Sequence, residues 1–297
     1  MPHEKRVQSV LNKTRRRDTW FLDDYTLNLY QACSFNCLYC YIRGSKYGTN
    51  LEDSLTVKIN ATEILERQLA LRAKKKQYGF IILSSVTDPY LHIEKRYELT
   101  RKALGLIAAY RFPVHIITKS DLVLRDTDLL HDIDKNAVRP AGLNLDRGCI
   151  VSFSFSTMDE KVASVFEPGA TPPARRLSAL QELSNAGFLS GISLMPLLPF
   201  ISDTTESLNH MFGQAREAGA HYLMPATLSL YGSGRADSKT LVLDAVRKHY
   251  PQLLPRYEAY FRDSQEMPRF YREAFYRKMQ ELSIQYGIPD RIIRTVR

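Results

Sequence analysis

Apolar runs alternate with amphipathic stretches along most of the chain, and this alternation predicts the fold class. Between the runs, apolar residues recur at helical spacing, as Ile64, Leu65 and Leu69 do within residues 62–74. Strands that take turns with helices favour an α/β fold with a parallel sheet and right-handed crossovers. The predicted strands are residues 25–32, 79–83, 114–118, 150–155, 191–198 and 221–228. The predicted helices are residues 60–74, 93–110, 126–134, 175–186 and 206–218.

Polar side chains gather at the carboxyl ends of the predicted strands. The first strand runs into Cys33, the second ends at Thr87 and Asp88, the third at Lys119 and the fourth at Ser154. In parallel α/β barrels the active site lies at this end of the strands. We therefore expect these residues to line one site.

Composition bounds the class of protein. The 297 residues are 44% hydrophobic and 25% charged, which is typical of a globular protein. No apolar run approaches the ~20 residues that span a bilayer, and the polar, basic start of the chain lacks the core of a signal peptide. These features predict a cytoplasmic protein that does not enter a membrane. The net charge of +9 favours a polyanion such as DNA or RNA as partner, although many basic proteins bind no nucleic acid.

Three of the four cysteines form one motif. Cys33, Cys37 and Cys40 have the spacing C-x3-C-x2-C, which lets three thiolates hold three corners of a cubane iron–sulfur cluster and leaves one iron open. A zinc site is the alternative, but it requires four ligands and no further Cys or His lies nearby. So few cysteines argue against a disulfide framework. Cys149 starts the fourth strand, so we expect it at the opposite edge with a structural role.

The cysteine motif, with an aromatic residue before its last cysteine, resembles the signature of radical S-adenosylmethionine (SAM) enzymes. The resemblance implies a 4Fe-4S cluster at Cys33, Cys37 and Cys40, whose open iron binds SAM, and cleavage of SAM to a 5′-deoxyadenosyl radical. It also implies a low-potential electron donor of the flavodoxin or ferredoxin type. The fold it implies is a partial (β/α)6 radical SAM barrel at residues 24–232, with a basic N-terminal leader at 1–23 and a helical C-terminal cap at 233–297. A doubly wound sheet is the alternative.

Within that superfamily, the chain is similar to the spore photoproduct lyase family, whose relatives are described as DNA repair photolyases. The similarity covers about residues 25–200. Its segments are the cysteine loop with Tyr39 and Tyr41, Thr87-Asp88, Thr118-Lys119, Phe153-Ser154, Phe166-Glu167-Pro168-Gly169, Arg176-Leu177 and Ala186-Gly187.

Carried over position by position, this resemblance implies that Thr87, Asp88, Lys119 and Ser154 contact SAM. The chemistry is suitable, because a lysine can meet the methionine carboxylate and an aspartate can accept from the amino group or ribose. Separately, Asp88 is also typical of a turn before proline, and Lys119 of a solvated charge after a strand.

The resemblance also bears on two tyrosines and one serine. The resemblance implies that Tyr39 and Tyr41 pack on SAM or relay a radical, and packing around the cluster is the alternative. The lyase uses a cysteine as hydrogen-atom donor at the position where this chain has Ser85. Because a serine O–H bond is too strong for that role, we expect a different substrate or a different way to quench the radical.

The C-terminal segment is rich in arginine and aromatic residues. Such a mixture can bind nucleic acid by stacking and charge, but its apolar residues recur at helical intervals and favour a cap with rings inward. Taken together, the sequence predicts a radical SAM enzyme acting on damaged DNA or another nucleic acid. The alternatives are a radical SAM enzyme acting on a peptide or small metabolite, and a non-catalytic metal-bearing module that binds nucleic acid.

Overall fold

The structure is a computed structural model that describes residues 2–46, 48 and 55–293. The outermost residues of the predicted leader and cap, 1 and 294–297, lie outside the described residues. The strands are β1 (His3–Lys5), β2 (Leu11–Lys13), β3 (Tyr25–Leu27), β4 (Tyr30–Gln31), β5 (Thr56–Lys58), β6 (Ile81–Leu83), β7 (Val114–Thr118), β8 (Cys149–Ser154), β9 (Leu189–Leu197) and β10 (Leu223–Thr227). The helices are α1 (Ala61–Lys74), α2 (Glu94–Tyr97), α3 (Leu99–Ala109), α4 (Thr127–Asn136), α5 (Glu160–Phe166), α6 (Pro173–Asn185), α7 (Thr205–Glu217), α8 (Ser238–His249), α9 (Leu254–Tyr260) and α10 (Arg269–Tyr286).

A seven-stranded sheet organises the molecule, in the order β10-β9-β8-β7-β6-β3-β2. The six strands from β10 to β3 are parallel, and β2 joins β3 antiparallel at one edge. Each of the six predicted strands corresponds to one of these parallel strands. The predicted α/β fold with a parallel sheet is therefore confirmed.

The first predicted strand is wrong as a single element. Residues 25–32 divide into β3, which belongs to the main sheet, and β4, which pairs with β5 in a second sheet of order β1-β5-β4. The reason lies at Asn28, between the two strands. Its side chain donates to Ser85 Oγ over 3.3 Å and accepts from Val86 N over 3.2 Å, while its carbonyl accepts from Lys58 Nζ over 2.7 Å.

The predicted helix at 93–110 is also interrupted. Glu98 has φ of 51°, a left-handed conformation that ends α2 before α3 begins. The buried carboxylate of Glu94 accepts from Thr100 N at 3.0 Å and Arg101 N at 3.3 Å, and thus satisfies free amide groups at the start of α3. Arg125 pairs with the same carboxylate over 2.8 Å. The break therefore gains a capping group that a continuous helix would lack.

Side chains of the sheet alternate between two packed faces. The residues that point to one face, such as Ile81, Val114 and Val151, join the larger apolar core with the helices. Those pointing to the second face, such as Phe80 and Ile150, form a separate cluster. Other members of that cluster are Leu22, Tyr222 and Met224, with Trp20, Phe21, Leu143, Leu145, Ile292 and Ile293 packed against it. Residues before β3 thus help to cover this second face.

The C-terminal helices carry both buried and exposed aromatic residues. Tyr257, Phe261 and Phe275 are buried, while Phe270 is 62% exposed. Tyr271 donates to the carboxylate of Asp203, which lies in the segment after β9. The last helices therefore pack against the carboxyl-terminal side of the sheet. Among the described residues, no helix has the length and apolar character needed to cross a membrane.

Candidate active site

The three cysteines of the motif lie in the loop that follows β4. Cys33, Cys37 and Cys40 are half-buried and make no disulfide. Burial raises the pKa of the Cys37 thiol to about 12, against the opposing effect of the Lys119 ammonium, and burial likewise raises the pKa of Cys33 and Cys40. The charges of Cys37 and Cys40 also raise the pKa of Cys33, so the three thiols lie close enough together to interact electrostatically.

The last residue of α5 and the segment that follows it bond to the backbone of this loop. Leu38 N donates to the carbonyl of Phe166, and Gly169 N donates to the carbonyl of Phe35, each over 2.9 Å. Gly169 approaches so closely that a Cβ atom there would lie 2.4 Å from the Ser34 carbonyl oxygen. A glycine is thus required at this position of the Phe-Glu-Pro-Gly segment by backbone contact.

Arg43 also holds this loop. Its Nε donates to the Cys37 carbonyl over 3.2 Å, one terminal nitrogen donates to the Ala236 carbonyl over 3.3 Å, and the other to the Asn36 side-chain oxygen. Arg43 N also donates to the Cys40 carbonyl over 3.0 Å. One guanidinium therefore ties the cysteine loop to the segment before α8.

Behind the loop, Glu167 is the centre of a buried polar network. Its Oε1 accepts from the Tyr39 phenol and from Ser156 Oγ at 2.8 Å. Its Oε2 pairs with Arg176 at 2.6 Å, and both of these side chains are fully enclosed. Lys119 Nζ lies 3.8 Å from Oε1.

The charge on Glu167 is stabilised by this surrounding. Burial alone would raise the pKa of its carboxyl, but Arg176, Lys119 and the hydrogen bonds from Tyr39 and Ser156 outweigh burial and lower it. Burial and the Glu167 charge together hold the pKa of the Tyr39 phenol well above its usual range. A buried ion pair of this kind fixes geometry rather than adding much net stability. Glu167 therefore anchors Tyr39, and through it the cysteine loop.

Lys119 and Ser154 meet at the ends of neighbouring strands. Lys119 Nζ donates to Ser154 Oγ over 2.5 Å and lies 5.8 Å from the centre of the Tyr39 ring. Its ammonium is close enough to Cys37 to act on the pKa of that thiol. The structure thus brings these predicted site residues to the cysteine loop.

Thr87 and Asp88 have protein partners in the same region. Thr87 Oγ1 donates to the Ala32 carbonyl over 2.6 Å, at the point where the cysteine loop begins. The buried Asp88 accepts from Tyr90 N and Thr118 Oγ1 on one oxygen and from Lys119 N at 2.8 Å on the other. Both residues therefore position the ends of β4 and β7, and their contact with SAM stays a prediction.

Tyr41 and Ser85 are neighbours at the surface of the site. The Tyr41 phenol donates to the Ser85 carbonyl, and its side chain is 40% exposed, whereas Tyr39 is 5% exposed. The two tyrosines therefore face different surroundings, one towards the interior network and one towards solvent.

Cys149 lies far from these residues along its strand. It is the first residue of β8, which ends at Ser154, so about 16 Å of strand separates the two. It is fully buried, and its backbone N–H donates to Asp134 Oδ1 over 2.9 Å. This placement gives it a packing role at the opposite edge of the sheet.

The sequence assigned no individual role to Glu167, Gly169, Arg176 or Arg43, and it placed Ser156 only among the polar residues at the ends of the strands. The first three lie in segments that carried the family resemblance, so their order along the chain was a usable signal. Arg43 carried no such signal, because its partner Ala236 is distant in sequence.

Residues 27–211, more than half of the chain, match the family model described as the radical SAM superfamily. The chain belongs to the radical SAM superfamily. It is thus a radical SAM enzyme, which argues against the alternative of a binding module without catalysis.

One relative in sequence and two solved structures are similar to most of this chain. An uncharacterized protein of Mycobacterium tuberculosis strain H37Rv is 28% identical over 292 residues, covering 96% of this chain and 81% of the relative. A mutant spore photoproduct lyase with bound AdoMet and dinucleoside spore photoproduct has a TM-score of 0.63 at 16% identity, with 96% of this chain and 81% of that chain covered. SuiB of Streptococcus suis bound to precursor peptide SuiA has a TM-score of 0.52 at 13% identity, covering 91% of this chain and 47% of that chain. At these identities the two structures establish the fold alone.

The family implies a 4Fe-4S cluster and SAM, and the donor set fits a cluster. Three half-buried thiols share one loop, and the positive charges of Lys119 and Arg176 act on Cys37 and favour its thiolate. Within residues 2–46, 48 and 55–293, no group of three or more His, Cys, Asp or Glu side chains is arranged around a single metal ion. A cubane binds each cysteine at a different iron, so its ligands need not converge on one point.

Proposed function

We propose that Cys33, Cys37 and Cys40 hold a 4Fe-4S cluster at which SAM is cleaved reductively, in a reaction related to that of spore photoproduct lyase. When bound, the cluster and SAM supply one electron and a 5′-deoxyadenosyl radical that abstracts a hydrogen atom. The observation that carries the proposal is the meeting of the cysteine loop with Lys119 and Ser154 at one edge of the sheet. We further propose that the sheet curves as a partial barrel around this site.

The residues at the strand ends are suited to bind SAM. The Lys119 ammonium carries three donors, of which Ser154 accepts one, and its charge complements a carboxylate. Thr87 and Asp88 support the site by fixing the backbone at Ala32 and Lys119. In this assignment all four residues contact SAM. Thr87 and Asp88 also keep the hydrogen bonds to the protein that fix their positions.

Tyr39 and Tyr41 have different roles in the proposed reaction. Tyr39 is buried against Glu167, so its ring orders the cluster loop and packs towards SAM. Tyr41 is exposed beside Ser85, at the position where the lyase family has its hydrogen-atom donor. Tyr41 is therefore the better placed of the two to exchange a hydrogen atom with a substrate.

A nucleic acid is the substrate class that the surface supports best. Lys13, Arg15 and Arg16 are exposed, and the whole chain carries a net charge of +9. A cleft of about 570 Å³ opens beside the end of β10, and Arg269 and Arg272 line it. The similar lyase structure contains a dinucleoside spore photoproduct. Damaged DNA is the first substrate to test.

A peptide or small metabolite is the second candidate. Glu266 and Glu273 line the same cleft and pair with Arg272 and Arg269, so the cleft presents both signs of charge. Such a mixed surface suits a zwitterionic or peptide ligand as well as a phosphate.

A substrate-dependence experiment separates the candidates. Anaerobically reconstituted enzyme with dithionite and SAM would be given UV-irradiated DNA, undamaged DNA, or a peptide mixture, and 5′-deoxyadenosine and product would be quantified. The proposal predicts product and altered 5′-deoxyadenosine formation with irradiated DNA alone. Equal yields with every addition, or a product from peptides alone, would overturn the nucleic-acid assignment.

A further inference from the structure

Two basic segments precede neighbouring strands of the main sheet. One is residues 13–25, which run from the end of β2 into β3, and the other is residues 72–78, which run from the end of α1 towards β6. Together they contain eight lysines and arginines and three aspartates, so their net charge is +5, out of +9 for the whole chain. A small part of the chain therefore carries more than half of its net charge.

Contacts join the two segments into one surface. The Tyr25 phenol donates to the Gln77 carbonyl over 2.8 Å. The guanidinium of Arg72 lies 4.7 Å from the centre of the Tyr25 ring. The backbones also approach closely, because a Cβ atom at Gly79 would lie 2.4 Å from the Cβ atom of Asp24. The charges of both segments therefore act at one place on the molecule.

Six cations of these segments are exposed, and we call them the amino-edge surface. Their side chains have no hydrogen-bond or ion-pair partner within residues 2–46, 48 and 55–293. They are Lys13, Arg15, Arg16, Lys74, Lys75 and Lys76.

The three aspartates do not neutralise the amino-edge surface. Both carboxylate oxygens of Asp24 accept from Arg17, each over 3.0 Å. Asp18 accepts from Trp20 N over 2.7 Å, and Asp23 accepts from Asp18 N over 2.8 Å. Each carboxylate is thus engaged inside its own segment, and the six cations keep their charge.

The amino-edge surface lies at the opposite end of the strands from the candidate active site. Its segments lead into β3 and β6, whereas Cys33 and Thr87 come after these strands along the chain. The next strand of the sheet, β7, is five residues long, which corresponds to about 13 Å between its ends. A small ligand at the cysteine loop therefore does not reach these cations, but a long polymer passing along the sheet can contact both places.

The chemistry of the surface indicates a phosphate backbone as its ligand. A protein partner is usually anchored by aromatic or apolar side chains at the centre of the interface. Residues 13–25 and 72–78 contain no exposed large apolar side chain, and the neighbouring Leu71 is a single one. Unpaired lysines and arginines without such an anchor suit nucleic-acid phosphates, which are bound by charge and independently of sequence.

We propose that the amino-edge surface binds the phosphate backbone of a nucleic acid, at a place separate from the reacting nucleotide. The class of polymer rests on the proposed function. The inference adds that the enzyme also holds a stretch of that polymer beyond the part at the cysteine loop.

The test measures how binding to undamaged duplex DNA depends on salt. The variant Arg15→Gln/Arg16→Gln/Lys75→Gln removes three cations at exposed positions, where substitutions rarely change stability. Binding of the reconstituted protein to a fluorescently labelled duplex would be followed by anisotropy between about 50 and 200 mM potassium chloride. Each phosphate contact contributes about 0.9 to the slope of log K against log salt. The inference predicts that the magnitude of the slope falls by about 2 to 3 and that the dissociation constant rises at least about tenfold at low salt.

A matched control separates this surface from the overall charge of the protein. Lys102→Gln/Lys135→Gln/Arg216→Gln removes the same charge from exposed positions on α3, α4 and α7, and it should bind DNA as the wild type does. The yield of 5′-deoxyadenosine with dithionite and SAM, measured without DNA, tests the proposed reaction separately. This yield should be the same in all three proteins.

Two results would overturn the inference. One is a salt slope and an affinity for DNA in the Arg15→Gln/Arg16→Gln/Lys75→Gln variant that equal those of the control. The other is binding of the wild type to phosphatidylglycerol vesicles that this variant loses while its DNA binding is unchanged, which would assign the surface to a membrane.

Discussion

Gly169 and Ser34 lie so close together that a Cβ atom at Gly169 would meet the Ser34 carbonyl oxygen at 2.4 Å. The same glycine donates its N–H to Phe35. The shape of the cysteine loop is thus set by a segment more than 130 residues further along the chain.

Gly169→Ala is expected to displace the cysteine loop. Overpacking of this kind costs about 1–3 kcal/mol, and the shift would move Cys33 and Cys37 away from their cluster geometry. We predict that iron incorporation falls severalfold while the far-ultraviolet circular dichroism spectrum is retained. Gly105→Ala in α3, where an added Cβ meets nothing within 4 Å, is the control and should be neutral or slightly stabilising. Full iron loading in Gly169→Ala would refute this account of the loop.

Glu167→Gln is expected to leave Arg176 buried without a counter-charge. Removing one partner of a buried pair costs about 3–5 kcal/mol, which urea unfolding of the protein would measure. Glu160→Gln at the exposed start of α5 is the matched control and should change the free energy of unfolding by less than about 0.5 kcal/mol. The double variant Glu167→Gln/Arg176→Met should recover part of the loss. A stable single variant would show that the network does not anchor the loop.

Lys119→Met is expected to weaken SAM binding. Loss of a charge-assisted hydrogen bond costs about 1.5–3 kcal/mol, so the dissociation constant for SAM should rise about 10- to 100-fold in equilibrium dialysis. Lys161→Met, on the exposed face of α5, should bind SAM as the wild type does. Unchanged affinity in Lys119→Met would remove this residue from the proposed SAM site.

Tyr41→Phe is expected to lower substrate turnover, and Tyr39→Phe is expected to lower stability. Tyr41 is exposed and lies beside Ser85, so its loss should lower substrate turnover by about tenfold or more while 5′-deoxyadenosine is still formed. Loss of the buried Tyr39 hydroxyl removes its hydrogen bond to Glu167 and should lower the free energy of unfolding instead, by about 1 kcal/mol. Identical behaviour of the two variants would contradict the division of roles.

Asp203 is expected to make the packing of the C-terminal helices depend on pH. Burial raises the pKa of its carboxyl from 3.8 to about 6. Between these values the folded protein binds more protons than the unfolded chain, so this group's contribution to stability is present at low pH and is lost as the pH rises through 6. Asp203→Asn should therefore gain stability relative to the wild type between pH 4 and pH 7, by about 2 kcal/mol. Urea unfolding of both proteins at pH 4 and pH 7 measures their difference in free energy of unfolding. The same difference at both pH values would contradict the prediction.

The sequence predicted what depends on local pattern. The pattern of apolar and polar residues located all six parallel strands, and the spacing of Cys33, Cys37 and Cys40 led to the family. The division of the first strand was missed because Asn28 bonds to Ser85 and Val86, which are distant in sequence. The Glu98 break was missed because a buried Glu94 caps α3. Partnerships of this kind form only in the folded chain.

The most direct test of the central claim is anaerobic reconstitution of the protein with iron and sulfide, followed by dithionite and SAM and quantification of 5′-deoxyadenosine. The account predicts about four irons per chain and 5′-deoxyadenosine from the wild type, with no 5′-deoxyadenosine from Cys37→Ala. Iron at background level with stoichiometric zinc and no 5′-deoxyadenosine would contradict the account.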